Sequence, residues 1–220
     1  MRDAIERAFE AALTDRCCIG QILVRKTSGG FTLCHREDEC RDDLEVFRDA
    51  EDASAIARFD DAGDYRPLKT APNLRHGWRL EVVDLRELRR ALDYFYPGRL
   101  AMFAAWKANR LVRTAVRETL DRQSGMYRVA AKIADDQLDD VIANVCRSDG
   151  GCLRTIMWKR DRSGAVPSPK LRPQKFDPSV DQTGRGERAI PLLCQEACGL
   201  LVNECREAVK LEGAAPSAPE

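Results

Sequence analysis

Four cysteines in two close pairs constrain this chain more than any other feature of its sequence. Cys146 and Cys152 enclose five residues that include two glycines, and Cys194 and Cys198 are four positions apart. A metal centre needs several soft ligands that converge, and two short-range pairs from distant segments can supply four of them. The two pairs therefore predict one metal site formed by Cys146, Cys152, Cys194 and Cys198.

The remaining sequence favours metal binding over a framework of disulfides. The chain has nine cysteines, which is an odd number. Its first segment, MRDAIERAFEAALTDR, is charged throughout and lacks the apolar core of a signal peptide. No apolar stretch is long enough to span a bilayer. We therefore expect a cytoplasmic protein, without a membrane partner, whose thiols stay reduced.

Charge excludes one further class of partner. The 36 basic residues are balanced by 36 acidic residues, so the formal net charge is zero. A protein that binds nucleic acid through its overall charge would carry a clear basic excess. We therefore expect no nucleic-acid partner.

The spacing of the four cysteines leaves three interpretations open. Structural zinc sites place two to four residues between paired cysteines, whereas five residues separate Cys146 from Cys152. An iron–sulfur cluster tolerates wider spacing because its ligands reach different irons. Cysteine also packs as a small apolar residue without any metal. Spacing alone favours a cluster over zinc, and zinc over plain buried thiols.

Hydrophobic periodicity predicts an α+β fold with two domains. Residues 1–83 read as a small layer with an N-terminal helix, the hairpin QILVRK–FTLCHR around Gly29 and Gly30, helical spacing over residues 38–58, and a strand at WRLEVVDL. Residues 84–210 read as a mainly helical cluster-binding domain, including one helix from Pro97 to Leu120. The segment 190–211 also has helical spacing, which would place Cys194 and Cys198 on one helix face.

Two stretches lack any such periodicity. Residues 159–190 contain four prolines and a basic excess, which predicts a mobile loop. Residues 211–220 end in a Pro/Ala-rich tail that we expect to be disordered.

A basic segment offers a candidate site for an anionic ligand. Arg66, Lys69 and Arg75 lie close together in sequence with the aromatic residue Trp78. Guanidinium groups pair with carboxylates and aromatic faces stack on flat ligands, so a tetrapyrrole with peripheral carboxylates would suit this segment. The alternative, which we favour, is that these charges pair with nearby acidic residues of the chain itself.

The other cysteines read as ordinary thiols. Cys205 follows Cys198 by seven positions, and we expect a core thiol there rather than a substitute ligand. Cys17, Cys18, Cys34 and Cys40 are scattered over the N-terminal layer with poor spacing for a second metal.

Several motifs together give the chain a family resemblance. YRPLKTAPNLRHGW (65–78), RQSGMYRV (122–129), CRSDGGC (146–152) and LLCQEACGLLV (192–202) resemble the iron–sulfur-binding accessory region found with CbiX-like sirohydrochlorin cobaltochelatases. That region consists of a stabilising domain and a 4Fe-4S domain. The resemblance implies a [4Fe-4S] cluster on Cys146, Cys152, Cys194 and Cys198. A chelatase domain uses histidines to hold the incoming metal, and this chain has only His35 and His76, so we expect the accessory region without the chelatase domain.

These observations predict an accessory protein rather than an independent enzyme. Four cysteine ligands leave no open iron for a substrate, which favours an electron-transfer, redox-sensing or structural role. The resemblance implies work in tetrapyrrole metabolism, such as sirohydrochlorin or cobalamin synthesis, with a chelatase or a redox protein as partner. The alternative is a zinc-stabilised protein-interaction module that recruits a partner through the basic loop.

Overall fold

The structure, a computed structural model, describes residues 4–147, 151–161 and 188–214. They form two compact units. Among the described residues, the first unit consists of 4–111, 153–155 and 188–193, and the second of 112–147, 151–152, 156–161 and 194–214. Helices and a mixed sheet are both present, which confirms the predicted α+β class.

The helices and strands follow one another in this order along the described residues: α1 (Ala4–Ala12), β1 (Arg16–Ile19), β2 (Ile22–Thr27), β3 (Gly30–His35), β4 (Glu45–Phe47), α2 (Asp52–Ile56), β5 (Trp78–Val82), α3 (Leu85–Phe95), α4 (Arg99–Lys107), α5 (Val116–Asp121), a 3₁₀ helix (Gly125–Lys132), α6 (Asp135–Arg147), β6 (Thr155–Ile156), β7 (Arg188–Ile190), β8 (Leu193–Cys194) and α7 (Gly199–Ala214).

A six-stranded sheet organises the first unit, in the order β4-β5-β3-β2-β1-β7. The central strands are antiparallel, while β4 and β7 pair in parallel at the two edges. The predicted hairpin is present as β2 and β3. Gly30 is required at its turn because φ is +144° and a Cβ would lie 2.1 Å from the carbonyl oxygen of Val82.

Helices α3 and α4 pack into the core of the first unit. Asp84 caps α3 by accepting a hydrogen bond from the N–H of Glu87 at 2.8 Å. Phe95 of α3 stacks on Trp78 of β5, with ring centroids 5.0 Å apart. These two helices therefore belong to the first unit, although their helical character predicted a place in the second domain.

Two other sequence expectations differ from the structure. The helical spacing of residues 38–58 gives only the short helix α2, because Glu45–Phe47 pairs with β5 as a strand. The helix expected from Pro97 to Leu120 is broken after Lys107. Asn109 adopts a left-handed conformation (φ 54°), and the N–H of Val116 bonds to the carbonyl of Lys159 instead of to its own helix.

The second unit has its own apolar core. Helix α7 packs against α6 and against the 3₁₀ helix. The buried residues include Val116, Leu120, Leu138, Ile142, Trp158, Leu201 and Cys205. Helix α7 continues to Ala214, so residues 211–214 of the expected disordered tail are helical. Most of the predicted loop 159–190 and residues 215–220 lie outside them.

Within the described residues, no helix is both long and apolar enough to cross a membrane.

Candidate functional site

All four predicted ligands lie in the second unit. Cys146 is in the last turn of α6, Cys194 ends β8, and Cys198 directly precedes α7. These three thiols pack in or against one apolar core. Cys152 is half-buried and lies three residues before β6, the strand that pairs with β8. The predicted glycine turn between Cys146 and Cys152 falls largely on residues 148–150, outside the described residues.

The second pair is not on a helix, which corrects the expectation from spacing. Cys194 belongs to a strand and Cys198 to the turn after it, while helix begins only at Gly199. Pro191 explains the difference, because a proline biases the preceding residue toward extended backbone. A short apolar run such as Leu192–Cys194 is also ambiguous between helix and strand on periodicity alone.

Backbone hydrogen bonds fix the turn that carries the second pair. The N–H of Met157 donates to the carbonyl of Cys194 at 2.9 Å. The N–H of Thr114 donates to the carbonyl of Gln195 at 3.0 Å. The Cys194 thiol donates to the carbonyl of Glu196 at 3.1 Å. The carbonyl of Cys198 accepts from Val202 in the first turn of α7. Cys198 therefore sits at a helix N-terminus, where the helix dipole favours a thiolate.

Trp158 supplies a buried donor in the same core. Its side chain is 5% exposed and belongs to the apolar cluster that contains Cys194. The indole Nε1 is buried and has no hydrogen-bond partner among the described residues. Buried indole N–H groups usually find an acceptor, and sulfides and cysteine sulfurs of iron–sulfur clusters accept such bonds. The donor set of thiols and an unsatisfied N–H therefore fits an iron–sulfur cluster.

Arg160 is a second residue that sequence reasoning missed. It is 4% exposed, and its Nε donates to Asp139 at 2.9 Å while its Nη2 donates to the carbonyl of Asp135 at 2.6 Å. Both partners lie in the first turns of α6, whose last turn carries Cys146. Arg160 thus ties α6 to the segment that carries Trp158. Its position in a basic stretch of sequence gave no sign of this burial.

Cys205 lies in the core, as expected for a packing thiol. It is 0% exposed, and burial raises the pKa of its thiol to about 12, with nearby Arg117 opposing the effect only in part. Full burial among apolar side chains is the usual environment of a packing thiol. Cys17, Cys18 and Cys34 are buried in the first unit and Cys40 is exposed; none of the nine cysteines, all among the described residues, is in a disulfide.

The basic segment holds its own loop together. Arg66 is 1% exposed, and its guanidinium donates to Asn73 and to the carbonyls of Ala57, Lys69 and Ala71 at 2.9–3.1 Å. Lys69 donates to the same Ala57 carbonyl at 2.8 Å. Trp78 is fully buried and donates to the carbonyl of Arg75 at 2.7 Å. Arg75 is half-buried, with Nη2 3.7 Å from a carboxylate oxygen of Glu45. Binding of an anionic ligand to Arg66, Lys69, Arg75 and Trp78 stays a prediction.

A second group of titratable residues lies in the first unit. His35 and Asp38 are buried, and His76 is half-buried beside them. Burial, together with the nearby His76 ring, lowers the pKa of His35 to about 4. Burial alone would raise the pKa of Asp38, but hydrogen bonds from the N–H of Gly77 and from His76 outweigh it and lower that pKa.

Comparison with known families assigns both units. Residues 5–110 match the family of the DR2241 stabilising domain, and residues 108–207 match the 4Fe-4S iron-sulfur cluster binding domain. The chain is therefore similar to a DR2241 stabilising domain followed by a 4Fe-4S domain. This confirms the resemblance seen in the sequence. The 4Fe-4S match contains all four predicted ligands and also Cys205, so the ligand set itself stays a prediction.

A solved structure is similar over nearly the whole chain. It is DR2241 from Deinococcus radiodurans, described as a multi-domain protein with structural similarity to chelatases and two additional novel domains. The two share 27% sequence identity with a TM-score of 0.75. The match covers 96% of this chain but only 42% of DR2241, so the chain spans less than half the length of that protein. No curated protein matched the chain.

Proposed function

We propose that this chain holds one [4Fe-4S] cluster on Cys146, Cys152, Cys194 and Cys198 and serves as an electron-transfer accessory protein. The observation that carries the proposal is the buried, unsatisfied indole N–H of Trp158 in a core that also contains cysteine thiols. When bound, such a cluster supplies a one-electron redox couple.

The residues around the thiols suit that role. The apolar core of the second unit buries Cys194, and Cys146 packs against it. The N-terminus of α7 stabilises negative charge on Cys198. The N–H of Trp158 would donate to a sulfur, which favours the more negative, reduced state of the centre. Together these features tune a reduction potential rather than prepare a reaction with a substrate.

Four thiolate ligands support electron transfer over substrate chemistry. With Cys146, Cys152, Cys194 and Cys198 all bound, no iron keeps an open position for a substrate. A purely structural cluster, joining α6 to the β8–α7 turn, is the second candidate. It is favoured by the position of Cys146 and Cys198 at the ends of two helices that pack together.

We further propose that the partner is a tetrapyrrole chelatase or its electron donor. The basis is that DR2241, which is similar to this chain over 42% of its own length, is described as structurally similar to chelatases. In that arrangement the two domains of this chain would support the metal-insertion chemistry of another domain or protein.

An anaerobic redox titration monitored by electron paramagnetic resonance tests the electron-transfer role. Reversible appearance of a reduced-cluster signal, one spin per chain, is the expected result. A cluster that cannot be reduced without being destroyed would overturn electron transfer and leave the structural role. A colourless chain with one zinc ion would overturn both and support the zinc-stabilised module.

A separate experiment tests the proposed partner. Mixing the cluster-loaded chain with a sirohydrochlorin chelatase should produce a complex on gel filtration, and the absence of a complex would remove the proposed partner.

A further inference from the structure

His76 lies at the centre of several metal-binding side chains in the stabilising domain. His35, Asp38 and His76 each offer a ligand atom, and these atoms lie within 4.8 Å of one another. Glu37 and Asp61 also approach His76 from the solvent side. None of these residues belongs to the part of the chain that matches the 4Fe-4S domain.

The inner side of His76 is closed by hydrogen bonds. Asp38 is 2% exposed, and its Oδ2 accepts from the N–H of Gly77 at 2.7 Å. Its Oδ1 lies 3.1 Å from Nδ1 of His76 and 3.3 Å from Nη1 of Arg41. The carboxylate therefore accepts the Nδ1 proton of His76. This bond fixes the tautomer of the ring and leaves the lone pair on Nε2, as in carboxylate–histidine–metal triads.

His35 cannot serve as a ligand without rearrangement. Its Nε2 lies 3.0 Å from the amide nitrogen of Gln21, and the amide is oriented because Gln21 Oε1 accepts from the N–H of Leu74 at 3.1 Å. Its Nδ1 faces the N–H of Glu37 at 3.3 Å. Both ring nitrogens of His35 thus lie within hydrogen-bond distance of other protein groups, and the ring packs against His76, with ring centroids 3.8 Å apart.

On the solvent side, Nε2 of His76 faces two carboxylates. Nε2 lies 4.0 Å from Oε2 of Glu37 and 3.9 Å from Oδ2 of Asp61. In a tetrahedral zinc site with ligands at about 2.1 Å, two ligand atoms lie about 3.4 Å apart, so each carboxylate would close by about half an ångström when the ion binds. Asp61 is held in place because its Oδ1 accepts from the N–H of His76 at 2.7 Å. A cation between this lone pair and the two carboxylates would be attracted by all three groups.

Access to this position is open. A cavity of about 520 Å³ is bordered by His76 and Asp61 and also by Asp60 and Glu45. It has room for an ion together with water ligands. Asp60 adds negative potential to this wall, while Glu45 is paired there with Arg75 at 3.7 Å.

We propose that Nε2 of His76 and the carboxylates of Glu37 and Asp61 bind a divalent transition-metal cation of the zinc type, with Asp38 orienting the histidine. One neutral imidazole and two carboxylates balance the charge of a divalent ion. Water completes the coordination, since three protein ligands leave a position open. This site is separate from the cysteines and does not depend on the identity of their cofactor.

Cobalt(II) is the probe that tests the proposal, with the cluster-loaded chain kept under anaerobic conditions. Binding at His76 should give the weak visible bands of nitrogen and oxygen ligands, without the strong near-ultraviolet absorption of cobalt bound to thiolate. Zinc should displace the cobalt. We expect one equivalent bound per chain in equilibrium dialysis.

Three variants distinguish the site from general surface binding. His76→Gln should weaken cobalt binding by at least about 100-fold and Asp61→Asn by at least about 10-fold, the range found when metal-site residues are changed. Asp64→Asn removes the same charge from an exposed neighbour and should leave binding unchanged. Thermal melting must show that all three variants fold.

The proposal is overturned if the parent chain binds no cobalt at this site, or if His76→Gln binds as tightly as the parent. Equal weakening in Asp64→Asn would also overturn it, because binding would then follow overall charge.

Discussion

The main-chain N–H of Met157 donates to the carbonyl oxygen of Cys194 at 2.9 Å. This bond joins the end of β6 to β8, the strand that carries one of the predicted ligands. Trp158, the next residue, places its indole in the same apolar core as Cys194. A local backbone pairing thus brings a hydrogen-bond donor and a thiol into one environment, although 35 residues separate them in the printed sequence.

Replacing Trp158 by phenylalanine should lower the reduction potential of the cluster. The substitution keeps an aromatic ring in the core but removes the N–H that favours the reduced state. A lost hydrogen bond of about 1 kcal/mol corresponds to roughly 40 mV for one electron. The potential is read from a redox titration. Trp106→Phe, in the stabilising domain, is the matched control and should leave the potential unchanged; equal shifts in both variants would refute a specific bond.

Removal of the Cys205 thiol should leave the cluster in place. Cys205 is fully buried and packs with the apolar residues of the core. Cys205→Ala should therefore retain full iron content and lose about 1 kcal/mol of stability through the small cavity. Iron analysis and urea unfolding measure the two effects. Loss of iron equal to that in Cys198→Ser would mean that Cys205 is a ligand.

Arg160→Gln should destabilise the 4Fe-4S domain. The change removes a buried guanidinium that bonds to Asp139 and to the first turn of α6, and it leaves the Asp139 carboxylate without its close partner cation. Breaking such a pair typically costs about 3 kcal/mol or more.

An exposed ion pair in the same domain provides the control. Arg122 and Glu196 lie 3.5 Å apart with both side chains about half exposed, so Arg122→Gln should change the free energy of unfolding by less than about 1 kcal/mol. Urea titration gives the free energy of unfolding of Arg160→Gln and of Arg122→Gln, each relative to the parent chain. Equal effects would argue against an anchoring role for Arg160.

Arg66 and Arg75 should respond differently to substitution. Arg66→Gln removes several bonds to buried carbonyls and should cost about 3 kcal/mol of stability, whereas Arg75→Gln loses only a long contact to Glu45 and should cost less than about 1 kcal/mol. Thermal unfolding measures the stability loss of each variant. If the segment also binds a carboxylated tetrapyrrole, Arg75→Gln is the variant that tests it, because its fold is preserved. Equal stability of both variants would contradict the structural role of Arg66.

Sequence patterns predicted the local features of the stabilising domain well. The hairpin around Gly29 and Gly30, the strand at Trp78 and the helix after Asp84 are all present. Each has a short-range signal: a glycine turn, alternation of apolar residues, or a capping side chain. The helix predicted from Pro97 to Leu120 was wrong because bonds to distant residues, such as Lys159, replace the helical bonds.

The candidate site was predictable only in part. Cysteine spacing identified four thiols, since paired ligands are visible in one dimension. The helix predicted at Cys194 and Cys198 was wrong, because strand pairing with β6 decides that segment. Trp158 and Arg160 had no signal in the sequence. Their roles depend on burial and on partners in α6 and β8, which only the folded chain reveals.

The most direct test of the central claim is iron and acid-labile sulfide content of the anaerobically purified chain and of its single Cys→Ser variants. The account predicts four irons and four sulfides per parent chain, as in a 4Fe-4S centre. Each of Cys146→Ser, Cys152→Ser, Cys194→Ser and Cys198→Ser should lose most of both, while Cys34→Ser and Cys40→Ser keep them. Stoichiometric zinc without sulfide in the parent, or full iron content in any of the four ligand variants, would contradict it.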